Sequence, residues 1–329
     1  MSLSQMEVFN KYVMPATIET LAQQVQKFNG ASAGAITLTT DGFEGDFLQQ
    51  SFYASLASAR RRVDRYAAQA SVTPTDLTQL KQSTVKVAGG FGPVRFEPSQ
   101  MTWLLKPTAE GIEMASRSLA EGLLQDQLNT AIAALVAAIG NQGADTVVDV
   151  SATKVADYAT VNDSHALFGD SSSNLVAEVM SGQSYHAFIG QNLTNAQNLF
   201  QSGGVRVVDI LGKVVVVTDA PALYSAAVAS PSAPAKRRVL SLAAGAAVVH
   251  DGRDIISNIE TSNGQTRIET TLQIDYTFGL GLKGYTWDVT NGGKSPTDAE
   301  LATGSNWDKV ASDVKNTAGV MAIGKASAA

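Results

Sequence analysis

Apolar residues recur at helical spacing in three stretches and alternate with polar ones in a fourth. In residues 15–28, Ile18, Leu21, Ala22, Val25 and Phe28 share one stripe before Asn29-Gly30, which predicts a short amphipathic helix ending there. In residues 51–70, Phe52, Leu56, Val63, Tyr66 and Ala70 also fall at helical spacing and leave Arg60, Arg61, Arg62 and Arg65 on the polar face. The longest pattern follows Lys106-Pro107, where Ile112, Ala115, Leu119, Leu123, Leu128, Ile132, Leu135 and Ile139 keep one face apolar until Gly140-Asn141. Residues 108–139 therefore predict a helix about 48 Å long, with Gly111 and Gly122 marking close packing or a bend. From 268 to 278 the period changes to two: Ile268, Thr270, Leu272, Ile274, Tyr276 and Phe278 line one face of a long strand.

The remaining segments are shorter. Residues 35–40 read as a strand before the Asp41-Gly42 turn. Residues 77–97 read as two strands around a turn at Gly89-Gly90-Phe91-Gly92-Pro93, so that the region forms a two-stranded flap around the arginine-bearing helix. Residues 165–265 read as an α+β insertion, with a helix over 192–200, strands at 205–211 and 213–218, and a loop fenced by Pro221, Pro231 and Pro234. Gly279-Leu-Gly-Leu-Lys-Gly284 is expected to bridge the long strand to a second one at Tyr285, Trp287 and Val289. No tandem repeat of solenoid length is visible.

Composition narrows the function. The 329 residues are 44% apolar and 16% charged, ample for a core without staples, and the absence of cysteine removes disulfides, thiolate metal sites and cysteine nucleophiles. The longest apolar runs, such as 243–249, are too short to span a bilayer, and the N-terminus lacks a secretory signal, so a cytosolic product with no membrane partner is expected. A net charge of −6 has the wrong sign for a nucleic-acid groove, leaving the arginine cluster as a solvated face or a subunit contact.

Chemical motifs fail on context. Gly279, Gly281 and Gly284 match a dinucleotide loop, but the segment that follows is strand-like rather than helical. Gly293-Lys294-Ser295 resembles the end of a phosphate loop, yet Asp288 stands where the opening glycine is needed, and Ser295-Pro-Thr-Asp298 reads as a helix cap. His165, His186 and His250 lie in separate segments without metal spacing. His186 replaces the second glycine of a nucleophile elbow at Gly182-Gln-Ser-Tyr-His186. No catalytic residue, metal or cofactor is expected, and a structural protein fits better than an enzyme. Trp103, Trp287 and Trp307, with Leu128, read as packing anchors.

The order of arm, flap, very long helix, α+β insertion and return strand resembles the major capsid proteins of tailed bacteriophages, whose Hong Kong phage fold is shared by encapsulins. Leu211-Gly-Lys-Val-Val-Val-Val-Thr-Asp-Ala-Pro221 and the stretch from Trp287 to Trp307, with Lys315 and Ala318-Gly-Val320, are similar in wording to such coat proteins. The resemblance implies an α+β capsid fold: an N-terminal arm (1–33), an extended E-loop (34–99), a peripheral (P) domain (100–164, spine helix 108–139), an axial (A) domain (165–265), and a P-domain return strand with tail (266–329). It implies self-assembly into pentamers and hexamers that form an icosahedral head around double-stranded DNA, bound without sequence specificity. Portal, scaffolding or decoration proteins are possible partners, and the protein would be located in the virion after assembly in the host cytoplasm. The alternative is an encapsulin-like compartment shell. Arg60, Arg61, Arg62, Arg65, Gly90 and Phe91 would then be assembly contacts, and deleting 81–97 would leave soluble protein unable to close shells.

Overall fold

The computed structural model describes residues 13–39, 49–53, 62–68, 71, 79–96, 109–199, 212–229, 233–252, 254–263, 266 and 268–326. At its centre runs the helix Ala109–Gly140, built largely from strong helix formers. Ala120, Leu123, Ala131, Ile132, Ala134, Leu135, Ala138 and Ile139 are buried, and their three- and four-residue spacing turns one face to the core. The helix end is satisfied locally, because the Thr146 hydroxyl donates to the Ile139 carbonyl at 2.7 Å. The segment Ser116–Gly140 is long and apolar enough to cross a membrane, contrary to the expectation that no stretch is. Here it is packed between sheets as core, so its apolarity answers to the protein interior.

The arm helix α1 (Met14–Ala31) lies against this central helix. It runs past Asn29-Gly30, the expected stop, because the Asn29 amide holds the next strand instead: it donates to the Leu38 carbonyl at 2.7 Å and accepts from its N–H at 2.9 Å. That strand is β1 (Ile36–Thr39).

Residues 49–53 and 62–68 overturn the expected helix over 51–70. Gln49–Tyr53 is strand β2, paired antiparallel with β3 (Gln79–Ser83), and 62–68 is non-helical and exposed. Phe52 is in register with Leu80 in that pair, so strand pairing takes precedence over the helical spacing. The two-stranded flap therefore exists with different members.

The expected turn at Gly89–Pro93 is also absent, since β4 (Val85–Phe96) continues through it, with only a bulge at Gly92-Pro93 where the register with its partner shifts by one residue. Its partner is the return strand β12 (Glu269–Leu282), which carries β4 along 270–280. The glycines serve the pairing: a Cβ at Gly89 would lie 2.8 Å from the Tyr276 ring, and one at Gly90 2.7 Å from Asp275 Oδ1. Along its other edge β12 pairs with β11 (Ile256–Ser262) and then with β10 (Ala247–Asp251), which in turn holds β1 in parallel. Ile274, Tyr276, Phe278, Leu280 and Leu282 alternate inward, as the period-2 pattern requires, while Ile268 is exposed. The expected glycine bridge is mostly strand; only Lys283-Gly284 turns, with Gly284 at φ +78°, into β13 (Tyr285–Trp287), which pairs antiparallel with β14 (Trp307–Lys309).

A second sheet has the order β5 (Val147–Asp149), β15 (Gly319–Lys325), β9 (Lys236–Ala243), β6 (Leu175–Met180), β7 (Val214–Val217), with β8 (Tyr224–Ser225) on β9. The tail's last strand thus lies within the sheet formed from residues 147–243. A helix at Tyr158–Ala166 packs on this sheet, and another follows β6 at Gly182–Leu199, starting well before the expected 192. The expected strand over 205–211 lies outside the described residues.

Candidate assembly surfaces

The residues expected to act in assembly occupy different places. Arg60, Arg61 and Trp103 lie outside the described residues. Arg62 and Arg65 are exposed on the 62–68 segment. Gly90 is exposed on β4, whereas Phe91 turns inward: its ring is 5.5 Å from that of Tyr276, and a Cβ at Gly122 would lie 3.2 Å from its Cζ. Gly122 is therefore a notch in the central helix that receives Phe91. One turn on, Asp126 accepts a 2.6 Å hydrogen bond from the Tyr276 hydroxyl. Burial, reinforced by the nearby Asp298 charge, pushes the Asp126 carboxyl above its ordinary range despite that bond. Burial and the same bond push the Tyr276 phenol up as well.

Leu128 is half-buried at the edge of the main core. Trp287 and Trp307 are buried edge to face with ring centroids 4.9 Å apart. Their indole N–H groups donate to the carbonyls of Gly293 at 2.9 Å and Leu301 at 3.0 Å. The phosphate-loop lookalike is thus part of this anchor. Asp288 caps the turn before Gly293 by accepting from the Thr290 N–H at 2.8 Å, and Thr297 with Glu300 forms the next capping box. The cap sits at Thr297 rather than Ser295.

One titratable cluster escaped sequence reasoning. His165 Nε2 lies 3.0 Å from Ser241 Oγ and 3.1 Å from Glu178 Oε1, all three buried. The Glu178 contact is within ion-pair distance but lacks hydrogen-bond alignment. One ring nitrogen meets both neighbours, so the imidazole cannot relay a proton between serine and carboxylate as a nucleophile triad does. The available signal was Glu178 itself, a charge inside the apolar run Leu175-Val-Ala-Glu-Val-Met180. Among the described residues no cluster of His, Asp and Glu has metal-binding geometry. Ser184 of the elbow lookalike is buried against Ser181 at 3.1 Å.

A cavity of about 410 Å³ lies where α1, β1 and the central helix meet, lined by Ile18, Leu21, Val25, Leu38, Gln127 and Ile255. A larger open cleft of about 1490 Å³ lies at one end of the second sheet, lined by Ser181, Asp219, Tyr224, Val228, Arg237 and Lys325 among others. There the Arg237 guanidinium sits 5.0 Å over the Tyr224 ring and donates to Ser181 Oγ at 3.3 Å.

Residues 5–321 match the model of the Gp13-like family, described as major capsid protein 13-like. The chain belongs to this major capsid protein family. It is a structural protein of the capsid shell, located in the virion, and its principal partner is itself in the capsid lattice. The capsid fold is seen independently in solved structures. The cyanophage Pam1 capsid asymmetric unit matches at TM-score 0.51 and 14% identity, covering 89% of each chain. The capsid of Ralstonia phage GP4 matches at TM-score 0.51 and 11% identity, covering 89% of this chain and 88% of that one. No curated protein sequence matches the chain. An encapsulin-like compartment is not favoured, since the family is one of capsid proteins.

Proposed function

We propose that this capsid protein forms pentamers and hexamers that close an icosahedral head around double-stranded phage DNA, without catalytic chemistry. The observation carrying the reading is the capsid-family match across nearly the whole chain. In this reading residues 1–33 are the arm, 34–99 the E-loop, 100–164 and 266–329 the P domain with Ala109–Gly140 as spine, and 165–265 the A domain. Arg60, Arg61, Arg62 and Arg65, with Gly90, lie at subunit contacts; the exposure of Arg62, Arg65 and Gly90 is consistent with that role. Phe91 acts through its seat at Gly122, by setting the angle of β4 on the spine. The net charge of −6 suits a shell that does not trap its packaged DNA. Assembly takes place in the host cytoplasm, with portal, scaffolding or decoration proteins as further partners.

Negative-stain electron microscopy of the purified chain, with its sedimentation profile, tests the reading. Closed shells, or rings of five and six, are expected from the chain alone or on co-expression with a scaffold. A small discrete oligomer under both conditions overturns it.

A further inference from the structure

The cleft at the end of the second sheet is bordered by a concentration of exposed apolar side chains. Tyr224 on β8 and Val228 just beyond it line the cleft and are 45% and 51% exposed, and Val217 on β7, 48% exposed, lies beside the lining residue Gly182. Monomeric surfaces seldom gather large apolar groups in this way without a partner. Among the described residues β7 pairs on one side only, with β6. At about 1490 Å³ the cleft exceeds the roughly 300–1,000 Å³ typical of small-molecule sites, which suits a folded segment better than a metabolite.

Charge indicates which segment. The cleft is lined by Arg237 and Lys325 against the single carboxylate Asp219, while Lys154 and Lys236 nearby are already paired with Asp157 and Asp149, which leaves a local excess of positive charge on a molecule of net charge −6. The acidic counterpart lies elsewhere on the same chain. Asp298, Glu300 and Asp308 are exposed on residues 298–308, a piece held rigid where the Trp307 indole donates to the Leu301 carbonyl and the Asn306 amide to the Glu300 carbonyl. This shelf packs on the central helix, where its negative field reaches Asp126.

We propose that the cleft is the acceptor of a head-to-tail contact between copies, in which residues 298–308 of one copy cover Tyr224 and Val228 of the next and set Asp298 against Lys325. Arg237, stacked on Tyr224 and tied to Ser181, is a positioning residue that holds the ring toward the incoming shelf. The two faces differ, so the contact is heterologous, the kind that closes into rings when its rotation permits. The inference rests on the capsid reading and names a face that serves it.

Charge reversal tests it, with the parent, Lys325→Glu, Asp298→Lys, the double variant and Tyr224→Ala assayed side by side for shell yield by sedimentation and microscopy. A scaffold is supplied wherever the parent requires one. Each single variant is expected to keep the parent's thermal melt as an isolated chain and to lose shells about tenfold or more. The double reversal is expected to recover most of that loss, and raised salt to weaken parent assembly. Single reversals that assemble like the parent, or a double variant no better than either single, would overturn this contact. So would variants that close shells normally but fail to retain DNA, which would assign the cleft to phosphates. A parent that forms no shells under any condition would overturn the capsid reading itself, and this contact with it.

Discussion

Asp126 is under opposing influences whose balance sets a pH dependence. Partial burial and the Asp298 charge raise its pKa, while the Tyr276 hydroxyl bond lowers it, and the net direction is up. A carboxyl raised on folding favours the folded state when protonated, so its contribution is fully present below the ordinary carboxylate range and is lost as pH rises through the raised value. Asp126→Asn keeps an acceptor for Tyr276 and removes the charge. Its thermal melts should lie at or above the parent's at pH 8, by no more than about 1 kcal/mol for a half-exposed group, and the gap should close toward pH 4. Gly89 illustrates a second residue-scale constraint. A side chain there enters the Tyr276 ring space, so Gly89→Val should cost about 1–3 kcal/mol in denaturant unfolding. Nothing local in the sequence marked Gly89 as a strand residue, because glycine runs read as turns until their partner is known.

At the scale of elements, the central helix was legible almost to the residue, at 108–139 against Ala109–Gly140. Its apolar periodicity persists over many turns, and no competing pattern interrupts it. Its face divides by burial: Leu135 is fully buried while Leu128 is only half-buried. Leu135→Ala should therefore cost about 2–5 kcal/mol and Leu128→Ala measurably less, as urea titrations of soluble protein would report. The helix Tyr158–Ala166 depends more on its cap. Partial burial would raise the Asp157 carboxyl, but bonds from Lys154 and Thr160 outweigh it and hold the group at about 2. Its stabilisation is present above the ordinary carboxylate value and is lost as pH falls toward about 2. Asp157→Ala should cost about 1 kcal/mol at neutral pH. The helix read over 51–70 failed because Phe52 satisfies helical and strand spacing alike, and only its partner across the pair, Leu80, decides between them. Since β4 is a strand of the first sheet with Val85 and Val87 buried, deleting 81–97 now tests folding before assembly. Arg62→Glu with Arg65→Glu is the cleaner probe of a surface contact.

At the scale of the whole molecule, the chain closes on itself through its tail. β15 lies between β5 and β9, parallel to one and antiparallel to the other, so residues 319–325 complete a sheet begun far upstream. Removing 319–326 should strip β9 of its partner on one edge and detach β5 from the sheet, yielding insoluble chain, whereas loss of shells with a normal melt would show the strand dispensable to the fold. The element order and the coat-like wording of the last third were sufficient to identify the family, because both are properties of the chain read in sequence. The same holds for the central helix and the inward face of β12, whose periods are set by local geometry. Tertiary structure alone decided that the glycine run at 89–93 is a strand, that Phe91 sits in the Gly122 notch, that His165 meets Glu178, and that the cleft gathers Tyr224, Arg237 and Lys325. Each of these depends on groups distant in sequence, and their energies exist only once the chain has brought them together.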